Sequence, residues 1–448
     1  MLHNNYEVRW KNYKAFRDTG WIEIRPLTIL IGPNNAGKTS IISPMLLLSQ
    51  TMASRDNVTP LVTRGSLSDV GIFKNIIRNR SREREVYLGV RFHTHEYRRG
   101  VKKIGSYPPG SVEVLLKQGR RPEDIVLKNI VLSDIYSRPY FEWNFENGKY
   151  YFKNFAGLNF SKAELSAIQE SKPVNFLFSP AGALSNYYDA KNDAVNVNKR
   201  LSQSFSHYVQ VLSYSFEEIR DVLSGLTYIG PLRDRMRRHY NVDSEMPVSV
   251  GARGEYTAQL IRRRYAEVKD KLNDWLKRFQ FGDSLHIENL ADDRFSLSFS
   301  RKNPKSLTNI ADFGFGASQV LPLIVQALAA ERGSLTIAEQ PEIHLNPKLQ
   351  SVLAELLVEM ANTDHRVVVE THSEHLLLRL RNLIAKNIIS TDKVALYFVE
   401  SDKGDSTIRK IDISPDGHIE PSEWPEGFFE DSLREALDLA VTQSIREG

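Results

Sequence analysis

The chain of 448 residues contains no cysteine. This absence excludes disulfide bonds, zinc sites built on cysteine and a cysteine nucleophile, and it is typical of proteins in a reducing compartment. Long apolar runs are also lacking, since stretches such as Val320–Ala330 are far shorter than the roughly 20 residues that span a bilayer. The polar first residues lack the apolar core of a secretion signal. We therefore expect a cytoplasmic protein without membrane contact.

Charge of one sign is not in large excess either. The chain has 59 Lys and Arg against 55 Asp and Glu, a net charge of +4. This balance permits an anionic partner but does not require one. Hydrophobic residues make up 41% of the chain and charged residues 25%, which is typical of a soluble globular protein. The length allows two or three ordinary domains, or one large domain with insertions.

The order of strand and helix patterns divides the chain into four segments. Residues 1–80 read as strand, glycine loop and helix, and residues 81–306 as short antiparallel strands followed by longer helices. Residues 307–390 return to helix, buried strand, helix and strand, and residues 391–448 form a small C-terminal domain. We predict an α/β fold with a mixed and parallel sheet, into which the second segment, antiparallel and helical, is inserted.

The stretch "GPNNAGKTS" matches the pattern G-x-x-x-x-G-K-[ST] in its expected context, after a strand and before a helix. Glycines let backbone N–H groups curl around phosphates, and the helix N-terminus favours negative charge. Lys38 supplies a positive charge for the β- and γ-phosphates, and the Thr39 hydroxyl is a ligand for Mg²⁺. A glycine turn that matches by chance is the less favoured alternative. The candidate phosphate-binding residues are Gly32, Asn34, Asn35, Ala36, Gly37, Lys38, Thr39 and Ser40.

A second signal, this time an acidic residue, lies in "SLTIAEQPEIHLNP", where the apolar strand pattern ends at Glu339. A carboxylate at the carboxyl end of a buried strand needs a cation, and Mg²⁺ beside the phosphate loop would supply one. The alternative is an ordinary strand-end acid bonded to a helix N-terminus. Together with the phosphate loop, the sequence favours Thr39 and Glu339 as metal ligands.

Two further stretches are weaker signals. His372, in "VVVETHSEH", follows the next strand and could donate a hydrogen bond to the γ-phosphate or to the attacking water. Taken alone, "THSEH" is better explained as a helix cap. In "ADFGFGASQVLPLIVQAL", Gly316 and Ser318 precede an apolar helix that could hold a phosphate, although a capped core helix is again the better interpretation alone.

Taken in order, these motifs resemble the non-transporter branch of the ATP-binding-cassette superfamily, which includes RecF, SMC and OLD (overcoming lysogenization defect) proteins. "YIGPLRDRMRRHY", "VGARGEYTAQLI" and the tail from "LYFVESDKGDS" onward are similar to one bacterial subfamily of these ATPases. That subfamily joins the ATPase head to a C-terminal domain of unknown function. Its members are often encoded in phage-defence loci, frequently beside a nuclease.

The resemblance implies roles for individual residues and a set of partners. Gly316, Ser318 and Gln319 would cap the γ-phosphate held by a partner subunit, and His372 would be the switch residue. ATP and Mg²⁺ would be the ligands, and the chain would act as a homodimer or a higher even oligomer. The chain departs from the family pattern in two places. The usual Q-loop glutamine is not placed, and Gln50 and Gln118 are both weak candidates for it. Asn346 stands where a histidine is more usual.

Gln340 occupies the place of the usual general base, and glutamine cannot take a proton. It can orient a water molecule by hydrogen bonding, as the glutamine of small GTPases does in phosphoryl transfer. Glu342 is the nearest substitute acid and could act through a water molecule. A missing base costs on the order of 10²–10⁴ in rate. We therefore predict slow hydrolysis and a long-lived ATP-bound dimer, with Gln340, Glu342, His372 and Ser318 as the catalytic candidates.

The C-terminal segment from Val394 onward bears on whether the chain is itself a nuclease. "VALYFVESDKGDS" resembles the acidic strand end of a Toprim nuclease, but such a domain needs about a hundred residues and far fewer follow Glu400. The stretch is more simply a hairpin with a charged tip. We also find no HNH-like metal-binding cluster. If the system cuts nucleic acid, a separate nuclease or other effector protein would do so.

Arginine-rich stretches are the remaining signal. They can contact the phosphates of nucleic acid or form a salt-bridged surface, and the sequence favours neither. The leading hypothesis is an ATPase whose closed dimer senses or holds nucleic acid and controls an effector. The alternatives are a scaffold assembled by ATP with incidental hydrolysis, and a DNA repair ATPase similar to RecF or SMC. The stretches are Arg233, Arg235, Arg237 and Arg238, then Arg262, Arg263 and Arg264, then "KNIIRNRSRERE" and "YRRGVKK".

Overall fold

The computed structural model describes residues 5–78, 83–93, 109–189, 201–242, 247–302, 305–420 and 422. Within them lie twenty strands and eight α-helices. The strands are β1 Asn5–Tyr13, β2 Phe16–Asp18, β3 Ile22–Ile24, β4 Leu27–Ile31, β5 Glu85–His93, β6 Pro109–Gln118, β7 Ile125–Asp134, β8 Pro139–Glu146, β9 Lys149–Asn154, β10 Pro173–Val174, β11 Leu177–Phe178, β12 Leu226–Ile229, β13 Tyr240–Asn241, β14 Ser284–Ala291, β15 Arg294–Lys302, β16 Lys305–Asn309, β17 Leu335–Glu339, β18 Arg366–Glu370, β19 Val394–Asp402 and β20 Asp405–Ile411.

The helices of the described residues flank these strands, with three short 3-10 turns at Phe73–Asn75, Ile310–Asp312 and Thr391–Lys393. Within the described part of the chain, none of the helices is both long and apolar enough to cross a membrane. The helices are α1 Lys38–Met52, α2 Lys162–Glu170, α3 Pro180–Asp189, α4 Gln203–Ser224, α5 Thr257–Arg278, α6 Phe315–Ala329, α7 Pro347–Asn362 and α8 Glu374–Ala385.

Fourteen of the strands form one mixed sheet, in the order β12-β17-β18-β4-β19-β20-β2-β1-β5-β6-β7-β8-β9, with β3 paired to β1. In that order, the strands from β12 to β19 run parallel to one another, and each pair from β2 to β9 is antiparallel. Between the two parts, β20 is antiparallel to β19 and parallel to β2. The predicted α/β class is therefore confirmed. The predicted antiparallel strands add to the edge of the parallel sheet through β1, and β13 to β16 form a second, smaller sheet.

Strands β4, β17 and β18 are buried on both faces because helices cover each side, and their sequences are accordingly almost continuous apolar runs. Successive side chains of a strand point to opposite faces. Leu30 lies in one hydrophobic core with residues of α1 and α4, whereas Ile29 and Ile31 lie in a second core with residues of α5 to α8. These three strands are therefore packed between two hydrophobic cores, which fixes the position of their carboxyl ends.

Candidate functional site

The loop after β4 is shaped by two glycines. Gly32 has φ 146° and Gly37 has φ 104°, a backbone region that other residues rarely adopt. A Cβ atom on Gly32 would overlap the carbonyl oxygen of Val399, and one on Gly37 would lie 2.9 Å from Ser406 Oγ. The loop therefore rests directly against the hairpin of β19 and β20, and Gly37 caps α1. Of its candidate residues, Asn34 and Asn35 are exposed and Ala36 is buried.

Lys38, the first residue of α1, is buried and folds back onto its own loop. Its Nζ donates to the carbonyl oxygens of Gly32 at 3.0 Å and Pro33 at 2.8 Å, and lies 3.9 Å from Glu370 Oε1. Burial lowers the pKa of Lys38, while the carboxylates of Glu370 and Glu342 oppose that change. The ammonium group is thus held by weak carbonyl partners that an anion can replace.

Two carboxylates lie side by side, because Glu339 at the end of β17 pairs in register with Glu370 at the end of β18. The Thr39 hydroxyl donates to Glu370 Oε2 at 3.0 Å, and the Tyr228 hydroxyl donates to Glu339 Oε1 at 3.0 Å. Burial and the neighbouring Glu370 raise the pKa of Glu339 to about 7. Burial also raises the pKa of Glu370. The sequence analysis missed Glu370, although it carries the same signal as Glu339, an acid at the end of a buried strand.

Glu342 and His372 meet at the same edge of the sheet. Glu342 Oε1 accepts a hydrogen bond from the backbone N–H of His372 at 2.7 Å. Burial raises the pKa of Glu342 and, together with Lys38, lowers the pKa of His372. Glu342 Oε2 and His372 Nε2 are both buried and have no hydrogen-bond partner. The predicted helix cap exists beside this contact, since Ser373 Oγ accepts from Leu376 N and begins α8.

Gln340, the residue after Glu339, has an unusual backbone conformation with φ 44°. Its N–H donates to the carbonyl oxygen of Glu370 at 2.7 Å. The guanidinium group of Arg233 donates to the carbonyl oxygens of Glu339 at 2.8 Å and Gln340 at 3.4 Å. The peptide groups on both sides of Gln340 are therefore held in place by side-chain and backbone contacts.

These residues fit a magnesium-bound nucleoside triphosphate. The site offers a cation for phosphate, carboxylates whose burial without a cation is unfavourable, and a hydroxyl beside them. Its two buried polar atoms without partners can be satisfied by a ligand. The structure brings together the predicted residues Lys38, Thr39, Glu339, Gln340, Glu342 and His372, and adds Glu370 and Arg233.

The residues predicted to face a partner subunit lie elsewhere, in the first turn of α6. Ser318 and Gln319 are only 5% and 1% exposed. Ser318 Oγ accepts from the backbone N–H of Met236 at 3.5 Å, and Gln319 Nε2 donates to the carbonyl oxygen of Arg233 at 3.4 Å. A Cβ atom on Gly316 would lie 3.1 Å from the backbone carbonyl oxygen of His344. In a single chain, these two side chains therefore contact the segment 233–236.

The two weak Q-loop candidates have other surroundings. Gln50 is buried in α1, and its Nε2 donates to the carbonyl oxygens of Val62 at 2.7 Å and Ser68 at 3.0 Å. Gln118 ends β6, in the antiparallel part of the sheet. Gln50 thus orders the loop after α1, and we find no contact of either glutamine with the phosphate loop.

Two smaller features of the sequence have clear explanations. Asn346 caps α7, because its Oδ1 accepts from Leu349 N at 3.1 Å. "DKGDS" forms the predicted hairpin tip, with Asp402 opposite Asp405. Among the residues that the structure describes, no group of three or more His, Asp or Glu side chains could hold a metal ion.

In the arginine stretch after β12, Arg233 is buried, which corrects its grouping with the exposed Arg235, Arg237 and Arg238. Arg233 is 4% exposed and lies at the end of β17. Arg235 lies over the ring of Phe315 at 5.6 Å, and Arg238 is paired with Asp312. The stretch "YRRGVKK" and residues 79–82 of "KNIIRNRSRERE" lie outside the described residues.

Comparison with known proteins gives two family matches. The model described as "AAA ATPase domain" matches residues 6–377, and the one described as "Protein of unknown function (DUF3696)" matches residues 389–439. The predicted pairing of an ATPase head with a C-terminal domain of unknown function is therefore confirmed. No curated protein matches the chain.

Solved structures similar to the chain include three SMC head domains. One is bound to the C-winged helix domain of ScpA, with 11% identity and a TM-score of 0.44 over 92% of this chain and 98% of that one. A head domain from Thermotoga maritima has 10% identity and a TM-score of 0.38 over 92% and 100%. One bound to the C-terminal domain of ScpA, derived from Pyrococcus furiosus, has 11% identity and a TM-score of 0.41 over 99% and 100%.

Proposed function

The chain belongs to the AAA ATPase domain family, and we propose that it binds ATP with Mg²⁺ and hydrolyses the nucleotide slowly to ADP and phosphate. One observation carries this proposal. The carboxyl ends of β4, β17 and β18 bring a buried lysine, three buried acids and two buried polar atoms without partners to one edge of the sheet. Ligands of open α/β sheets bind at this edge.

Each residue of the site has a proposed role. Lys38 exchanges two loop carbonyls for phosphate oxygens, and the N–H groups of the loop surround the phosphates. Thr39 and Glu339 hold Mg²⁺, and Glu370, which already accepts from Thr39, supports them. The bound Mg²⁺ would neutralise charge on the phosphates. His372 presents its ring nitrogen Nε2 to the γ-phosphate or the attacking water, while Glu342 fixes the His372 backbone.

We propose slow turnover because Gln340 takes the place of a general base. Its amide can orient the attacking water but cannot accept the proton, and Glu342 is the nearest acid that could act through a water molecule. A glutamine at this position also favours the alternative function, an assembly scaffold in which ATP joins subunits and hydrolysis is incidental. A DNA repair ATPase similar to RecF or SMC is a further alternative on the resemblance alone.

We further propose a dimer, or a higher even oligomer, in which ATP lies between the phosphate loop of one copy and the first turn of α6 of the other. Gly316, Ser318 and Gln319 would contact the γ-phosphate there, once the side chains of Ser318 and Gln319 exchange their contacts with Met236 N and the Arg233 carbonyl oxygen for phosphate oxygens. Such a cytoplasmic, OLD-like dimer would sense or hold nucleic acid and control an effector such as a nuclease in phage defence. The resemblance in sequence and the exposed side chains of Arg235, Arg237 and Arg238 support this.

The decisive experiment replaces Lys38 by alanine and measures binding of Mg-ATP together with single-turnover hydrolysis. We expect the loss of the ammonium group to lower hydrolysis by at least about 10²-fold, since positioning and charge stabilisation dominate phosphoryl transfer. Lys386→Ala, at an exposed lysine after α8, is the control and should behave as the native chain. A native chain without affinity for ATP would overturn the proposal.

Two measurements separate the candidate functions. The molecular mass of the native chain with a non-hydrolysable ATP analogue reports whether ATP joins subunits. Phosphate release with and without DNA then distinguishes a nucleic-acid sensor from a scaffold. Turnover stimulated by DNA supports the sensor, and assembly on ATP without turnover supports the scaffold. A chain that stays monomeric when saturated with the analogue contradicts the proposed dimer.

A further inference from the structure

Arg233 is a buried cation whose contacts differ from those of its exposed arginine neighbours. It follows β12, the edge strand beside β17, and only 4% of its surface is exposed. Burying an arginine is costly unless its donors are satisfied. The hydrogen-bond partners of the Arg233 guanidinium group therefore indicate its role.

The guanidinium group bonds to the backbone of the candidate catalytic residues. Nη2 donates to the carbonyl oxygen of Glu339 at 2.8 Å, and Nη1 donates to that of Gln340 at 3.4 Å. Its Nε is buried without a partner. One planar group thus contacts the two consecutive carbonyls around the Gln340 peptide, a geometry that suits the fixed fork of an arginine.

That backbone needs support. Gln340 has φ 44°, in the left-handed region that is unfavourable for a non-glycine residue and persists only when its surroundings hold it. The peptide group before Gln340 is held at both ends, by the bond from Gln340 N to the carbonyl oxygen of Glu370 and by the bond from Arg233 to the carbonyl oxygen of Glu339. The carbonyl oxygen of Gln340 accepts from Arg233 at 3.4 Å and from Ile343 N at 3.2 Å. The direction of the Gln340 side chain depends on this backbone, because χ angles start from it.

The charge of Arg233 also matters in this place. Burial lowers the pKa of Arg233 to about 10, with Glu342, Tyr228 and Glu339 opposing that change, so the group remains charged at neutral pH. It is therefore a fixed positive charge beside the acids of the site. The carbonyl oxygen of Arg233 in turn accepts from Gln319 Nε2 at 3.4 Å, which connects the end of β17 to α6.

We propose that Arg233 is a positioning residue for ATP hydrolysis. It holds the backbone at the end of β17 so that the Gln340 side chain is directed at the attacking water. This role rests on the proposed function, and it is distinct from binding, because Arg233 contacts neither the phosphate loop nor Thr39 in the structure. Loss of its two-carbonyl contact should therefore lower the rate of the hydrolysis step and leave the affinity for Mg-ATP largely unchanged.

Arg233→Lys tests this role because lysine keeps the positive charge but cannot reproduce the planar fork. We expect single-turnover hydrolysis to fall by about 10- to 100-fold, as a small misplacement at a catalytic group does. The affinity for Mg-ATP, measured on the same sample, should stay within about threefold of the native value, which is well under 1 kcal/mol. Native affinity also reports that the variant is folded.

Arg25→Lys is the matched control. Arg25 Nη1 also donates to two carbonyl oxygens, those of Thr391 at 3.0 Å and Val394 at 2.9 Å, and its Nε is likewise buried without a partner. Arg25 precedes β4 and so lies at the end of that strand opposite the phosphate loop. The same chemical change there should leave the hydrolysis rate at the native value.

Three results would overturn the role of Arg233. They are a native rate in Arg233→Lys, a fall in affinity that matches the fall in rate, and an equal loss of rate in Arg25→Lys. If Arg233→Lys does not fold, Arg233→Gln is measured in the same way against the same outcomes. Failure of the proposed function is distinguishable, because the native chain itself would then lack ATP binding or turnover, and the role of Arg233 would fall with it.

Discussion

The two halves of the large sheet bury very different residues. At the carboxyl ends of the parallel strands, the buried side chains include the charged groups of Lys38, Arg233 and three glutamates. At the antiparallel half, β8 and β9 bury a cluster of aromatic rings together with α4 and with β11, which pairs with β10 outside the large sheet. The rings of Trp143 and Phe178 stack with centroids 4.6 Å apart. The parallel half therefore has groups that suit a charged ligand, whereas the antiparallel half is stabilised by aromatic packing.

The comparison also teaches which signals identify a site. Buried polar atoms without partners occur in both halves, since Trp143 Nε1 and Tyr208 Oη are among them, as are Glu342 Oε2 and His372 Nε2. Burial raises the pKa of Tyr208, so this phenol stays neutral near pH 7. A single atom without a partner is therefore weak evidence. The parallel half differs because several ionisable groups converge there.

The largest effect should come from Trp143→Ala, which tests the packing half. Trp143 is fully buried, and replacing such a side chain by alanine should lower the free energy of unfolding by about 3–5 kcal/mol. The affinity for Mg-ATP of the folded fraction should not change, because no charged group of the site is touched. Denaturant unfolding and nucleotide titration measure the two quantities.

Tyr151→Ala is the control for that substitution. Tyr151 lies on β9 in the same half but is 47% exposed, so its loss should change stability by no more than about 0.5 kcal/mol. A Trp143→Ala variant that lost ATP affinity while remaining folded would contradict the separation of the two halves.

The sequence predicted the parallel half well where the signal is local. The phosphate loop and Glu339 were found because a short motif or a strand end carries the information. Glu370 carried the same strand-end signal, and its proximity to Thr39 depends on β18 lying between β17 and β4. Arg233 was grouped with exposed arginines, because its burial depends on β12 pairing with β17, more than a hundred residues later in the chain.

The antiparallel half was predicted less completely. Alternating apolar residues identified several of its strands, since that pattern is local. The junction of these strands with the parallel sheet rests on the pairing of β1 with β5, whose partners, such as Val8 and Val90, are far apart in sequence. The small sheet of β13 to β16 was missed for a similar reason, since Tyr240 pairs with Phe295. Register between distant segments is set by tertiary packing, which a single sequence does not display.

A pH titration of stability sharpens the contrast, because the parallel half buries Glu339 against Glu370. Burial and Glu370 raise the pKa of Glu339 from 4.5 to about 7 in the folded chain. Between these values the folded state binds more protons than the unfolded state, so stability should fall as pH rises. In the absence of nucleotide and divalent cations, Glu339→Gln should remove the share of this dependence that Glu339 contributes and raise the free energy of unfolding at pH 7 by up to about 3 kcal/mol.

The control for the titration is Glu331→Gln, at an exposed acid before β17. Its stability should follow the native dependence on pH. Unfolding is measured by denaturant at several pH values between about 4.5 and 8, where the difference between Glu339→Gln and the native chain should grow as pH rises. A difference that stays constant with pH would mean that Glu339 is not a buried acid of this kind.

The smallest expected effect is on the rate itself, in Gln340→Glu. The two side chains have nearly the same shape, and Glu adds a group that can accept the proton of the attacking water. We expect single-turnover hydrolysis to rise by about 10- to 100-fold, at the low end of what a general base contributes. Stability without nucleotide should fall, because a further acid then lies beside Glu339 and Glu370.

Gln280→Glu is the control for both effects. Gln280 also has a left-handed backbone, with φ 61°, but it is exposed at the end of α5. The same change there should alter neither rate nor stability appreciably. If Gln340→Glu loses stability without gaining rate, proton transfer does not limit hydrolysis. The charge at this end of the parallel strands then serves to hold ATP, and the scaffold function becomes the better account.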